Sequence, residues 1–242
     1  MRCPGLTVLV LLVSLGSLRS SDLLLRYDSP ALAQFGGLRN PAVERRETLH
    51  PLQEALPIGN GRLGALLTGG MNRDRLILSE NSLWTGDDSS GKGPYGAYQF
   101  LGELTFTLPG HEVGADYHGA LDLGDALFRV GYGVNGLRYT REYLASAPAG
   151  VIAVRYATDK GGGGYTGTVA LADSHHGTVV AEAGQPGPRI TVSGQLENGL
   201  RYEYQVIVVK EGKAGTIAPG ADRASIEVKG CDAVIQIGRA HV

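Results

Sequence analysis

The sequence predicts an all-β protein, an antiparallel β-sandwich of about twelve short strands, from three observations. Short runs of alternating apolar and polar residues recur at a spacing of about ten residues, with turn residues between them. Glycine is abundant, 37 of 242 residues, and lacks the repeat of collagen, so it suits many tight turns. No segment carries the periodicity of an amphipathic helix long enough to organise a domain.

The chain opens with Arg2, an apolar run from Leu6 to Leu15 and then small residues, the pattern of a secretory signal peptide over residues 1–20. Cleavage is expected after Gly16 or Ser20. The run is shorter than the roughly twenty residues a bilayer span needs, so a secreted or extracytoplasmic protein with no membrane contact after cleavage is expected. The two cysteines are Cys3 and Cys231; cleavage removes the first and leaves no intrachain disulfide.

Leu23, Leu25 and Tyr27 alternate as a short opening strand, and Asp28-Ser29-Pro30 reads as a turn. Arg39–Glu47, charged and holding Pro41, reads as a surface loop. Leu63–Leu67 and the alternating residues around Leu76 and Leu78 flank Gly69-Gly70 and the polar turn Met71–Arg73, a β-hairpin pattern.

This hairpin overlaps a second pattern. Gly59, Gly61 and Gly64 spell G-x-G-x-x-G, with Glu80 about twenty residues on, as in a dinucleotide-binding fingerprint. That fingerprint needs a long helix directly after its third glycine, so that the helix N-terminus meets the pyrophosphate. Only Ala65–Thr68 separate Gly64 from Gly69-Gly70, about one helical turn. Pro57 also sits where the preceding strand should be central. The glycine pattern is a coincidence, and no cofactor is expected.

GDDSSGKGPYGAY, after Trp84, is a loop by composition, and Leu101–Leu108 is a half-buried strand closed by Pro109-Gly110. Asn135-Gly136 is a strong hairpin signal joining Leu127–Tyr132 to Leu137–Ser146, where Leu137, Tyr139, Arg141 and Tyr143 share one alternation. Pro148 ends that strand and Val151–Tyr156 begins another, making a meander. The run Gly161–Gly164 reads as a hairpin tip in preference to a domain linker. Tyr165–Leu171, Ile190–Val192, Tyr202–Val209, Ser225–Val228 and Ala233–Ile235 complete the strands.

Charged residues make up 19 % of the chain and the net charge is -2, so no nucleic-acid partner is expected. The histidines His50, His111, His118, His175, His176 and His241 form no zinc pattern, and no metal is expected. There is no G-x-S-x-G nucleophile motif. The carboxylates Glu80, Asp87, Asp88, Glu103, Asp122 and Asp125 remain, and a pair of them could act on a glycosidic bond. Asp87-Asp88 sits in a Ser/Gly-rich loop, where such residues serve turns. Glu80, Asn81 and Trp84 form a cluster suited to lining a sugar site, because an indole face covers the apolar side of a pyranose. The competing reading is a core tryptophan whose neighbours cap a loop.

ALPIGNGRLGALLTGG followed by RLILSENSLWTG resembles the amino-terminal signature of glycoside hydrolase family 95, roughly LPIGNGRLGAM-x-x-GG and then L-N-E-x-x-LW-[ST]-G. Tyr98–Leu104 is similar to that family's YQ-x-LGDL. Leu121–Leu123, Tyr139–Tyr143 and Ser146–Arg155 are similar, in order, to its LDL, Y-x-RE-[FY] and S-x-P-x-x-VI-x-x-R segments. Ser79 and Asn81 stand where the family has Asn and Asp.

The resemblance implies an amino-terminal β-supersandwich from an inverting α-L-fucosidase, or an α-L-galactosidase, whose (α/α)₆ barrel holds the catalytic groups. It carries no catalytic residue onto this chain. It implies Glu80, Asn81 and Trp84 as substrate-binding candidates, a fucosylated glycan as the substrate of the complete enzyme, and a catalytic barrel that packs on this domain. The expected organisation is a signal peptide over 1–20 and a β-sandwich domain over 22–236. Residues 237–242 (IGRAHV) resemble a translated sequencing adapter and are expected to be a non-native tail. The alternative is a free-standing carbohydrate-binding or structural β-sandwich module; a self-sufficient hydrolase using Glu80 with Asp87 or Asp88 ranks last.

Overall fold

A computed structural model describes residues 23–31, 55–86, 96–160 and 164–241. The expected signal peptide, Cys3, the loop over Arg39–Glu47, His50, Asp87-Asp88, Gly161–Gly163 and Val242 lie outside the described residues. The described strands are β1 (Leu24–Tyr27), β2 (Leu56–Gly59), β3 (Leu63–Leu67), β4 (Arg73–Trp84), β5 (Tyr98–Thr107), β6 (Ala115–Asp122), β7 (Leu127–Val134) and β8 (Leu137–Ser146). They continue as β9 (Val151–Thr158), β10 (Tyr165–Ala172), β11 (Thr178–Glu182), β12 (Arg189–Gln195), β13 (Arg201–Glu211), β14 (Thr216–Pro219), β15 (Ser225–Cys231) and β16 (Ala233–His241).

These strands form two antiparallel sheets. One has nine strands in the order β1-β6-β7-β8-β9-β16-β13-β12-β11; the other has seven, β14-β15-β10-β5-β4-β3-β2. The all-β sandwich is therefore the fold. The expected hairpin is the β3–β4 pair, with Leu67 opposite Leu76, so Gly64 lies inside a strand and no helix follows it. The β7–β8 turn places both Asn135 and Gly136 at positive φ, 50° and 77°, the two-residue turn whose twist matches its strands. The meander β7-β8-β9 is likewise present.

The strand count is sixteen where the sequence predicts about twelve. The additional strands are β2, β6, β11 and β14. Three of them are sheet edges, which bond to one neighbour only and so need no strong alternation. Pro57 is accommodated on edge strand β2, where a missing N–H is harmless. The glycine run before β10 is not a hairpin tip. β9 belongs to the nine-stranded sheet and β10 to the seven-stranded one, so the chain crosses between sheets there. Ile237–His241 continue β16, between β9 and β13.

The core lies between the sheets and is rich in tyrosine: Tyr132, Tyr143, Tyr156, Tyr165 and Tyr204 are all fully buried. Phe106 meets Tyr156 edge-on at 5.0 Å. At its centre Arg141 of β8 is completely buried. It donates to the carbonyls of Gly70 (2.5 Å) and Met71 (2.7 Å) and to the Tyr132 hydroxyl (2.6 Å). Asp74 of β4 lies 3.6 Å away and accepts hydrogen bonds from Tyr143 (2.6 Å) and Tyr156 (2.9 Å). A charge placed here is tolerable because it is paired and bonded. It pins the turn of the β3–β4 hairpin to the opposite sheet, and so fixes where β4 delivers its far end.

Candidate functional site

That far end carries the three residues singled out by the sequence. The turn before β3 is built by Asn60, whose side-chain oxygen accepts from the N–H groups of Arg62 (3.1 Å) and Leu63 (2.8 Å). Its amide reaches the Ser146 carbonyl at 3.1 Å, tying the turn to the nine-stranded sheet. Gly61, at φ 91°, supplies the left-handed residue that the turn needs.

Glu80 pairs across the hairpin with Leu63 and points inward, 1 % exposed. Its Oε1 accepts from Arg62 Nε at 2.8 Å. Its Oε2 accepts from the Ser82 N–H (2.8 Å) and the Ser82 hydroxyl (2.6 Å). Burial alone would raise its pKa, but the bonds from Ser82 and Arg62 outweigh it and hold Glu80 below the usual carboxylate range. A carboxylate so engaged is an anion at neutral pH, with no proton to give and both oxygens bonded. Its role is to fasten the hairpin.

Asn81 is exposed and donates from its amide to the Gly61 carbonyl at 3.1 Å. Trp84 ends β4 opposite Tyr98 and is 45 % exposed. Tyr98 and Phe100 are similarly exposed and, two residues apart on β5, share a face. Asn198, far along the chain, donates to the carbonyls of Trp84 (3.0 Å) and Gly86 (2.8 Å) and so clamps the end of β4 in place.

The structure therefore separates the three candidates by chemistry. Trp84 offers an aromatic face beside Tyr98 and Phe100, Asn81 stands on the exposed surface, and Glu80 is sealed beneath. Arg62 and Asn198 were not legible as partners, because each comes from a turn with no motif of its own, and Ser82, on β4 itself, is an ordinary strand residue by pattern. The aromatic pair Tyr98 and Phe100 at strand spacing was a readable signal.

The other described carboxylates among the sequence candidates, Glu103, Asp122 and Asp125, are engaged as well. Glu103 pairs with Arg75 (2.7 Å) and Arg73, while Asp122 and Asp125 face Arg129. Among the described residues no group of His, Cys, Asp and Glu could hold a metal ion, and no helix is long and apolar enough to cross a membrane.

Comparison with known proteins places this geometry. The model of the family described as "Glycosyl hydrolase family 65, N-terminal domain" matches residues 25–97 and 87–240. "Alpha-L-fucosidase 2" of Arabidopsis thaliana is 29 % identical over 144 residues, covering 45 % of this chain and 17 % of that protein. "Probable alpha-fucosidase A" of Aspergillus oryzae is 27 % identical over 135 residues, covering 40 % of this chain and 19 % of that protein. The chain thus spans less than a fifth of the length of these relatives. A solved structure described as "Putative kojibiose phosphorylase from human microbiome" is 9 % identical with a TM-score of 0.38, over 76 % of this chain and 29 % of that one.

Proposed function

The chain belongs to the family of glycosyl hydrolase family 65 N-terminal domains, and from that premise we propose that it is the non-catalytic amino-terminal β domain of a secreted α-L-fucosidase-like glycoside hydrolase. In this reading the complete enzyme removes terminal α-linked L-fucose from a fucosylated glycan. Inverting hydrolysis is carried out by an (α/α)₆ barrel that packs on this domain. The observation that carries the reading is the match of an N-terminal domain family across nearly all the described strands, joined to two relatives that are both named as fucosidases. The sealed Glu80 supports a non-catalytic role, since an ionised, doubly bonded carboxylate is not poised as a general acid.

The domain's contribution is to face the sugar with Trp84, with Asn81 exposed three residues before it on the same strand. An indole about half exposed at a strand end can cover the apolar face of a pyranose. Trp84 is the only tryptophan in the chain, so intrinsic fluorescence reports on it directly. Titration with fucosyllactose is expected to change the emission saturably, with lactose weaker. Trp84→Ala, which retains no tryptophan and is followed by calorimetry, is expected to abolish the heat of binding while leaving the unfolding free energy within about 0.5 kcal/mol of the parent. An emission that does not respond to either saccharide would remove the sugar-facing role.

A further inference from the structure

Behind the strand end that carries Trp84 lies a cleft of about 960 Å³, a size typical of ligand sites. Three segments distant in sequence form its walls: the end of β4 with the start of β5, the β10–β11 turn, and the β12–β13 hairpin. Each is pinned by side chains. Asp173 Oδ2 accepts from the N–H groups of His175 (3.0 Å) and Gly177 (2.6 Å) and from the Tyr202 hydroxyl (2.8 Å); Oδ1 accepts from Tyr204 at 3.2 Å. His175 Nε2 meets the Phe100 carbonyl at 2.8 Å, and Asn198 clamps Trp84 and Gly86. The walls are thus fixed before any ligand arrives, which lowers the ordering cost of binding.

Hydrogen-bonding groups of neutral or single-charge character line the cleft: Thr85, Gln99, Ser174, His176, Gln195 and Glu197. His176 is held at φ 60°, a conformation unfavourable for a side-chain-bearing residue, by the bonded turn on either side of it. Carboxamides, two hydroxyls and an imidazole around one carboxylate match a polyhydroxylated ligand. They do not match a phosphate or sulfate, which the cleft has no lysine or arginine to pair.

We propose that this cleft is a saccharide-binding subsite, taking the neutral part of a glycan whose end lies against Trp84. The proposal rests on the sugar-facing reading above and extends it to residues beyond the signature. It is tested on the full chain by following backbone amide shifts during titration with fucosyllactose. His176→Gly is the decisive variant: it removes the imidazole, and glycine relieves the positive φ, so the fold is kept or strengthened. The expected result is saturable shifts at Gln99, His176, Gln195 and Glu197, and an affinity about tenfold weaker in H176G with a melting temperature equal to or above the parent's. Saturable binding seen by Trp84 fluorescence but unaffected by H176G, or shifts confined to Asn81, Trp84 and Tyr98, would overturn the cleft and leave the sugar-facing reading standing. Absence of any saccharide response would overturn both.

Discussion

His111 lies in the core against Tyr132, Tyr139 and Tyr165, 5 % exposed, with Nδ1 3.0 Å from the Tyr132 hydroxyl and its ring 4.5 Å from that of Tyr139. Burial disfavours its charged form, and the Arg141 guanidinium adds repulsion that Glu112 only partly offsets, so its pKa falls to about 4. The folded protein therefore holds this imidazole neutral, while the unfolded chain protonates it near pH 6.5. Above that pH the site costs nothing. As the pH falls from about 6.5 towards 4, the unfolded state takes up the proton first and stability is lost. Urea unfolding at a series of pH values is expected to show this decline in the parent and a flatter profile in His111→Phe across the same window. Equal slopes would mean that other groups carry it. Glu80 acts at the acid end: its lowered pKa contributes stability above the unfolded carboxylate value and loses it as the pH falls below.

Hairpins and interior strands were readable in the sequence because their physics is local. Asn135-Gly136 both adopt the left-handed conformation that its turn requires, and Tyr139, Arg141 and Tyr143 all point inward as their alternation implies. The alternation could not say that Arg141 would be buried, since its partners Gly70, Met71 and Asp74 lie about seventy residues earlier in the chain. Edge strands β2, β11 and β14 were illegible for the opposite reason, having too few neighbours to impose a pattern. The signature residues were visible, but not the fact that Glu80 faces inward while Trp84 faces out. The cleft was invisible, because it is assembled from three separate segments. Strand β16 holds a local conflict. Gln236 is 1 % exposed between the sheets, and neither of its side-chain polar atoms has a hydrogen-bond partner among the described residues. An unsatisfied buried amide costs about 1–3 kcal/mol. Gln236→Met keeps the shape and removes the polar atoms, so it is expected to raise the urea midpoint by a corresponding amount. A lower midpoint would show that the amide is satisfied in solution.

At the scale of the molecule, the two outer surfaces differ in chemistry. On the nine-stranded sheet, Arg129, Glu142, Arg155 and Glu211 of β7, β8, β9 and β13 form an ion-pair ladder, the last pair reaching across β16, the ordinary solvated face of an antiparallel sheet. The seven-stranded sheet instead ends in Trp84, Tyr98 and Phe100, next to the polar cleft. The exposed aromatic residues gather at that one end, while Glu80, Glu103 and Asp125 are held in ion pairs. On the proposed reading, this end of the domain faces the substrate while catalysis is carried out elsewhere in the complete enzyme. The most direct test is prolonged incubation of the purified chain with an aryl α-L-fucoside, alongside Glu80→Gln. The account predicts no fucose release above the buffer blank from either protein. Turnover by the parent chain that disappears in E80Q would contradict it.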